Sequence, residues 1–121
     1  MTASEVRSFL SDIHWIIQEI NLKKQTIVMY KKWFDLTPVF EGNINKLRGY
    51  VSLARRMIEI VPDPTWREVL MKRYIDGIKC EEVADTMYYG RTSIHTITVK
   101  ACELIASTLP DELFPDEYRK S

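Results

Sequence analysis

The side chains with the greatest chemical reach in this chain gather in one stretch. Arg91, Thr92, Ser93, His95 and Thr96 supply a guanidinium, three hydroxyls and an imidazole within six residues. Such a set can donate and accept hydrogen bonds at the edges of nucleic-acid bases, and an arginine can bind guanine bidentately. Lys79, Tyr88 and Lys100 flank it, with Lys72 and Arg73 further upstream; cations and a phenol suit phosphate oxygens. Hydrolytic and phosphoryl-transfer chemistry lacks its signatures: there is no GxxxxGK loop, no GxSxG elbow and no HExxH helix. His95 and Cys102, seven residues apart, could share one face of a helix, but two ligands without a third do not make a zinc site. The adjacent acids Glu81 and Glu82 point in different directions on a helix and form no acid/base pair. His14 reads as a helix-surface residue beside Trp15. No catalytic residue, metal, cofactor or small-molecule substrate is expected.

Positioning these side chains falls to a small helical chain. With 121 residues, 45% of them hydrophobic, the protein can bury one ordinary core, and four glycines are too few for a fold built on many tight turns. The expected fold class is all-α. Cys80 and Cys102 form neither a disulfide framework nor a CxxC knuckle, so reduced thiols in the cytoplasm are expected. The N-terminus lacks the apolar run of a signal peptide, and no stretch approaches the roughly 20 apolar residues of a membrane span. No membrane partner is expected.

Three segments are expected: a helical hairpin over 1–61, a DNA-binding module over 65–106 and a tail over 107–121. From residue 3 to 35, Val6, Leu10, Ile13, Ile17, Ile20, Ile27 and Phe34 trace a heptad-like stripe on one long helix, with gaps at Lys24 and Lys31. Beyond a break at Thr37-Pro38 and Gly42, Ile44, Leu47, Val51, Ala54, Ile58 and Val61 continue it on a second helix. Packed antiparallel, these stripes make a seam of Leu10, Ile13, Ile17, Ile20 and Ile27 against Leu47, Val51, Ala54 and Ile58. The seam serves either a hairpin within one chain or assembly into a homodimer or higher oligomer.

Pro62-Asp63-Pro64 must stop the second helix, because proline has no amide to continue the ladder. Thr65 and Glu68 then read as a capping box, with Gly77 as a left-handed stop. A short helix from Cys80 to Met87 lacks a good cap at Lys79, although Ile78 and Val83 have the spacing of a hydrophobic staple. Tyr88-Tyr89-Gly90 is a three-residue turn. The last helix follows, with Tyr89 and Ile94 at staple spacing and Ile94, Ile97, Ala101 and Leu104 as its inner face. A short helix with Ala84 at its middle, a tight turn and a longer amphipathic helix form the pattern of a helix-turn-helix.

The run TWREVLMKRYIDGIKCEEVADTMYYGRTSIHTITVKACELI resembles region 4 of sigma factors. It is similar more closely to the sigma-region-4-like regulators of Gram-positive phages and mobile elements, the ArpU/RinA-type late transcription activators and their small streptococcal relatives. The likeness rests on Val69-Leu70, Arg73-Tyr74-Ile75, Glu81-Glu82-Val83-Ala84, Met87, Tyr89 and Lys100-Ala101, and extends more loosely to the N-terminal hairpin. It implies an all-helical protein that binds double-stranded DNA near promoters and activates phage or island genes in the host cytoplasm. Gly90 and Lys79 depart from it, standing where relatives usually carry a Ser or Thr cap.

Charge sets a counterweight. Residues 66–106 hold six basic and six acidic side chains, the first 61 residues a surplus of three positive charges, and the tail a deficit of two. A DNA-binding module is usually more basic. A second reading is therefore a sigma-like module that docks on RNA polymerase or a host factor without specific DNA contact. Arg73 also has two readings, a phosphate contact or an internal partner of Asp76 or Glu81. The basic side chains of the arm, Lys23, Lys24, Lys31, Lys32, Lys46, Arg48, Arg55 and Arg56, read as a solvated face more than as a DNA contact. The tail, with Leu109, Leu113, Phe114 and Tyr118 among prolines, either folds back on the bundle or serves as an acidic-aromatic hook; packing is favoured.

Overall fold

The computed structural model describes residues 1–120, which are helical throughout apart from their connections. Helix α1 (Ala3–Tyr30) starts on a capping box: the Thr2 hydroxyl accepts from the Glu5 amide while the Glu5 carboxylate accepts from the Thr2 amide. Helix α2 (Thr37–Ile60) runs back along it. The seam closes inside one chain. Leu10, Ile13 and Ile20 are buried with Leu47, Ala54 and Ile58, while Ile17, Ile27 and Val51 are half-buried at the edges of the same core.

Two boundaries differ from the sequence-based reading. Helix α1 stops at Tyr30 and a turn follows, so Phe34 leaves the stripe and stands exposed. Helix α2 begins at Thr37 and passes through Gly42, because Pro38 occupies its first turn, where a missing amide costs nothing. Lys31 accordingly falls beyond α1, outside the seam.

The Pro62 break is held by Arg67, whose Nη1 donates to the carbonyls of Val61 and Pro62 at 2.8 and 3.1 Å. Helix α3 (Pro64–Leu70) is capped by Asp63, whose Oδ1 accepts from the amides of Thr65 and Trp66 at 2.8 and 3.3 Å. This corrects the expected Thr65-Glu68 box: with Pro64 as the first helical residue, the cap moves two positions upstream. Helix α3 then widens into five π-helical residues, Met71–Ile75. The wide turn ends where Gly77 takes φ +71°, and the Ile78 amide returns to the Lys72 carbonyl at 2.9 Å.

His14 is tied to this end and is not a simple surface residue. Its Nδ1 lies 3.1 Å from the Ile75 carbonyl oxygen, its Nε2 3.0 Å from the Gln18 side-chain Nε2, and its ring presses on Gly77. Helix α4 (Cys80–Met87) and helix α5 (Arg91–Thr108) complete the α-helices.

One main core joins the parts. Val6, Phe9, Leu10 and Ile13 of α1 meet Met57 and Ile58 of α2, Leu70 and Tyr74 of the α3 unit, and Ala101, Cys102 and Ile105 of α5. The tail folds onto it as two single 3₁₀ turns, Asp111–Leu113 and Asp116–Tyr118. Phe114 is buried, and Tyr118 sits edge-on to Phe9 with ring centroids 5.0 Å apart. The Tyr118 hydroxyl donates to Asp12 Oδ2 at 2.7 Å, and the Lys120 amide donates to Glu5 Oε2 at 2.5 Å. No helix among the described residues is long and apolar enough to cross a membrane.

Candidate nucleic-acid interface

Helices α4 and α5 meet through a small cluster of Val69, Val83, Ala84 and Ile94, with Ile78, Met87 and Ile97 packed against it. Ala84 offers little bulk at this crossing, which lets α5 approach closely. The turn between them is strained at Tyr88, which adopts φ 59° and ψ 35°. A side chain in this left-handed region costs about 1–2 kcal/mol. Tyr88 is 96% exposed, so side-chain packing does not offset that cost; the αL cap is held instead by backbone bonds, the Tyr89 amide donating to the Ala84 carbonyl at 2.9 Å. A strained residue with a solvated aromatic ring is a functional candidate on physical grounds. Tyr89 is 42% exposed, and Ile94 behind it is fully buried.

Helix α5 divides its work along its length. Thr98, Ala101, Cys102 and Ile105 are buried, whereas Ile97 and Leu104, expected on the inner face, are half-buried at its margins. The buried strip is therefore rotated from the one the apolar residues alone suggest. Thr98 fits inside because both hydrogen-bonding functions of its hydroxyl are met: Oγ1 donates to the Ile94 carbonyl at 2.9 Å and accepts from Arg73 Nη1 at 3.0 Å. Desolvation pushes the Cys102 thiol up to about 11, against an ordinary value near 9, so it remains a neutral thiol at neutral pH.

Arg91, Thr92, Ser93, His95 and Thr96 are all exposed around the start of α5. His95 and Cys102 lie on the same side of α5 two turns apart, but His95 is at the surface and Cys102 in the core. Gly90 caps the helix without a side-chain bond, which leaves its leading amides open to solvent or to an anion. Lys79, Tyr88 and Lys100 are exposed as well.

Two upstream cations are differently engaged. Lys72 is half-buried, with Nζ 3.7 Å from a Glu68 carboxylate oxygen. Arg73 turns inward, bonding Thr98 and lying 5.2 Å from the Tyr74 ring centre, and neither Asp76 nor Glu81 is its partner. Burial in the same region pushes the Tyr74 phenol up to about 12.

Sequence reasoning missed the partner of Arg91. Its Nη2 donates to Glu81 Oε1 at 2.7 Å, a bond from the first turn of α5 to the first turn of α4. Both side chains are well exposed, at 71% and 62%. The available signal was a pair of opposite charges at the starts of two helices that cross. In the arm, Lys23 pairs with Glu19 and also bonds Asn43, and Lys46 pairs with Glu117 at 3.0 Å. Lys24, Arg48 and Arg55 instead line a shallow groove of about 300 Å³ over Ile17, Ile20 and Val51.

Comparison of the chain with models of protein families, with curated proteins and with solved structures finds no match.

Proposed function

We propose that the chain is a sequence-specific DNA-binding regulator of transcription, an activator of phage or mobile-element genes acting in the bacterial cytoplasm. The observation that carries this reading is the start of α5, where one guanidinium, three hydroxyls and one imidazole stand exposed beside an uncapped helix N-terminus. The resemblance of residues 65–105 to sigma region 4 supports it. Helix α4 with its turn and α5 form the helix-turn-helix; α5 enters the major groove by its first turns, and Lys79, Tyr88 and Lys100 meet phosphate. Arg91 must exchange Glu81 for a base. An exposed ion pair is worth about 0–1 kcal/mol, and a bidentate arginine on guanine about 1–3 kcal/mol, so the exchange is favourable at the right base. At a wrong base or a bare backbone Glu81 competes well, which sharpens selectivity.

The Arg91–Glu81 pair and the charge balance of residues 66–106 favour a second reading, a sigma-like module that binds RNA polymerase or a host factor without specific DNA contact. Selection from a pool of random-sequence duplexes, followed by titration of the enriched sequence across salt, separates the two. The DNA reading expects an enriched sequence whose affinity falls steeply with salt. In that assay Arg91→Ala weakens binding and relaxes sequence preference, about 1–3 kcal/mol at one base pair, whereas Lys79→Ala weakens all sequences alike. No enriched sequence at any salt overturns the DNA reading.

A further inference from the structure

The outward side of α1 does not look like a solvated helix face. Trp15, Leu22 and Met29 follow at seven-residue steps on the side opposite the buried Ile13, Ile16 and Ile20, and Trp33 stands just beyond the helix end. These four side chains are 68%, 63%, 62% and 66% exposed. Gln18 and Gln25 fill the spaces between them on one flank and Glu19 and Thr26 on the other; Glu19 is the one charge there and is paired with Lys23 at 2.7 Å, so the face carries little free charge in a chain that is 28% charged. Large apolar and aromatic groups with charge depleted are the composition of an interface centre.

We infer that this face of α1 is the docking surface for a second copy of the chain, packed antiparallel about a two-fold axis through Leu22. The argument for that occupant is self-complementarity and area. A two-fold interface needs one patch that fits itself. Seven residues on either side of Leu22 stand Trp15 and Met29, and Gln18 and Gln25 flank it at four and three residues. Antiparallel pairing sets Trp15 on the partner's Met29, Gln18 beside the partner's Gln25, and Leu22 on the partner's Leu22. It meets no like charges along its centre and opposes the two helix dipoles. The four apolar side chains expose about 500 Å² per copy, so two copies bury about 1,000 Å², the lower bound for a specific interface.

This surface is distinct from the α1/α2 seam, which is filled within one chain. It stands without the DNA reading; only a spacing consequence rests on that reading. His14, which bonds Ile75, lies eight residues before Leu22, and Arg7, close to Val99 and Cys102, lies fifteen before it. At about 1.5 Å per residue the two α5 modules are attached about 25 to 45 Å apart along the paired helices, a span that includes one turn of duplex DNA.

Light scattering on the full chain, without DNA, tests the surface. The expected mass is twice 14.3 kDa, and Leu22→Asp, which places two carboxylates against each other on the axis, returns it to the single-chain value with helicity retained and the melting temperature that the wild type shows at dilution, where the pair is dissociated. Cysteine crosslinking tests the register in a Cys80→Ser background. Leu22→Cys links to its own copy under mild oxidation, Trp15→Cys does not, and an equal mixture of Trp15→Cys and Met29→Cys does. A wild-type chain of single mass at all concentrations, a Leu22→Asp variant that stays dimeric, or Trp15→Cys linking to itself while Leu22→Cys does not, overturns the inference. Because no DNA is present, each of these failures leaves the proposed function standing.

Discussion

Gly77 shows how much one residue carries when conformation and space agree. Its φ of +71° lies where a Cβ is strained, and a Cβ placed there would come within 2.5 Å of the His14 ring. Gly77→Ala is expected to lower stability by about 2 kcal/mol or more in denaturant unfolding, from backbone strain and from displacement of the imidazole. Adding His14→Ala removes the collision but not the strain, so the double variant is expected to lose less than the sum of the two single losses. Additive losses would show that His14 gives way freely. Arg91 and Glu81 illustrate the opposite regime. Their pair is short at 2.7 Å but exposed, so it adds little stability; under the proposed function it acts as competition for a base. Arg73, read alternatively as a phosphate contact, is engaged in an inward bond to Thr98.

Elements meet their ends where backbone amides find acceptors, and this decides boundaries that periodicity leaves loose. Pro64 as first helical residue makes Asp63 the cap of α3, and Asp63 Oδ1 serves two amides. Asp63→Ala is expected to cost about 1 kcal/mol in thermal or denaturant unfolding, and Thr65→Ala less, because the Thr65 hydroxyl is not the cap. Equal costs at the two positions would return the cap to Thr65. Helix α5 is divided along its length: its start is polar and exposed, and its second half is locked into the main core by Ala101, Cys102 and Ile105. The exposed start of α5 is thus held in place by packing two turns away from it. Helix α1 is likewise two-sided, its inner seam filled and its outer Trp15, Leu22 and Met29 open.

At the scale of the whole molecule, the tail closes the bundle through carboxylates. Glu5 accepts from the Lys120 and Thr2 amides, Asp111 meets the Met1 ammonium and Arg119, and Glu117 meets Lys46. Hydrogen bonds to the charged forms hold all three below the ordinary carboxylate range, Glu117 at about 2, through its own backbone amide first and Lys46 next. A depressed folded-state value stabilises the protein above the ordinary carboxylate range, and that contribution is lost as pH falls from there toward about 2. Amide exchange at Phe114 and Lys120 is therefore expected to lose protection over this window before α1 and α2 unfold, and an unchanged protection pattern would show that apolar packing alone holds the tail. The all-helical class, the stop at Pro62, the left-handed stop at Gly77 and the exposed start of α5 were legible in the sequence, because each follows from local backbone chemistry and helical period. Only the tertiary structure decided that the α1 seam is filled by α2 of the same chain, that Arg73 turns inward to Thr98, that Arg91 meets Glu81 and that the tail packs Phe114 into the main core. Periodicity states which residues share a face; what covers that face depends on distances between elements far apart in the chain, which no local pattern contains.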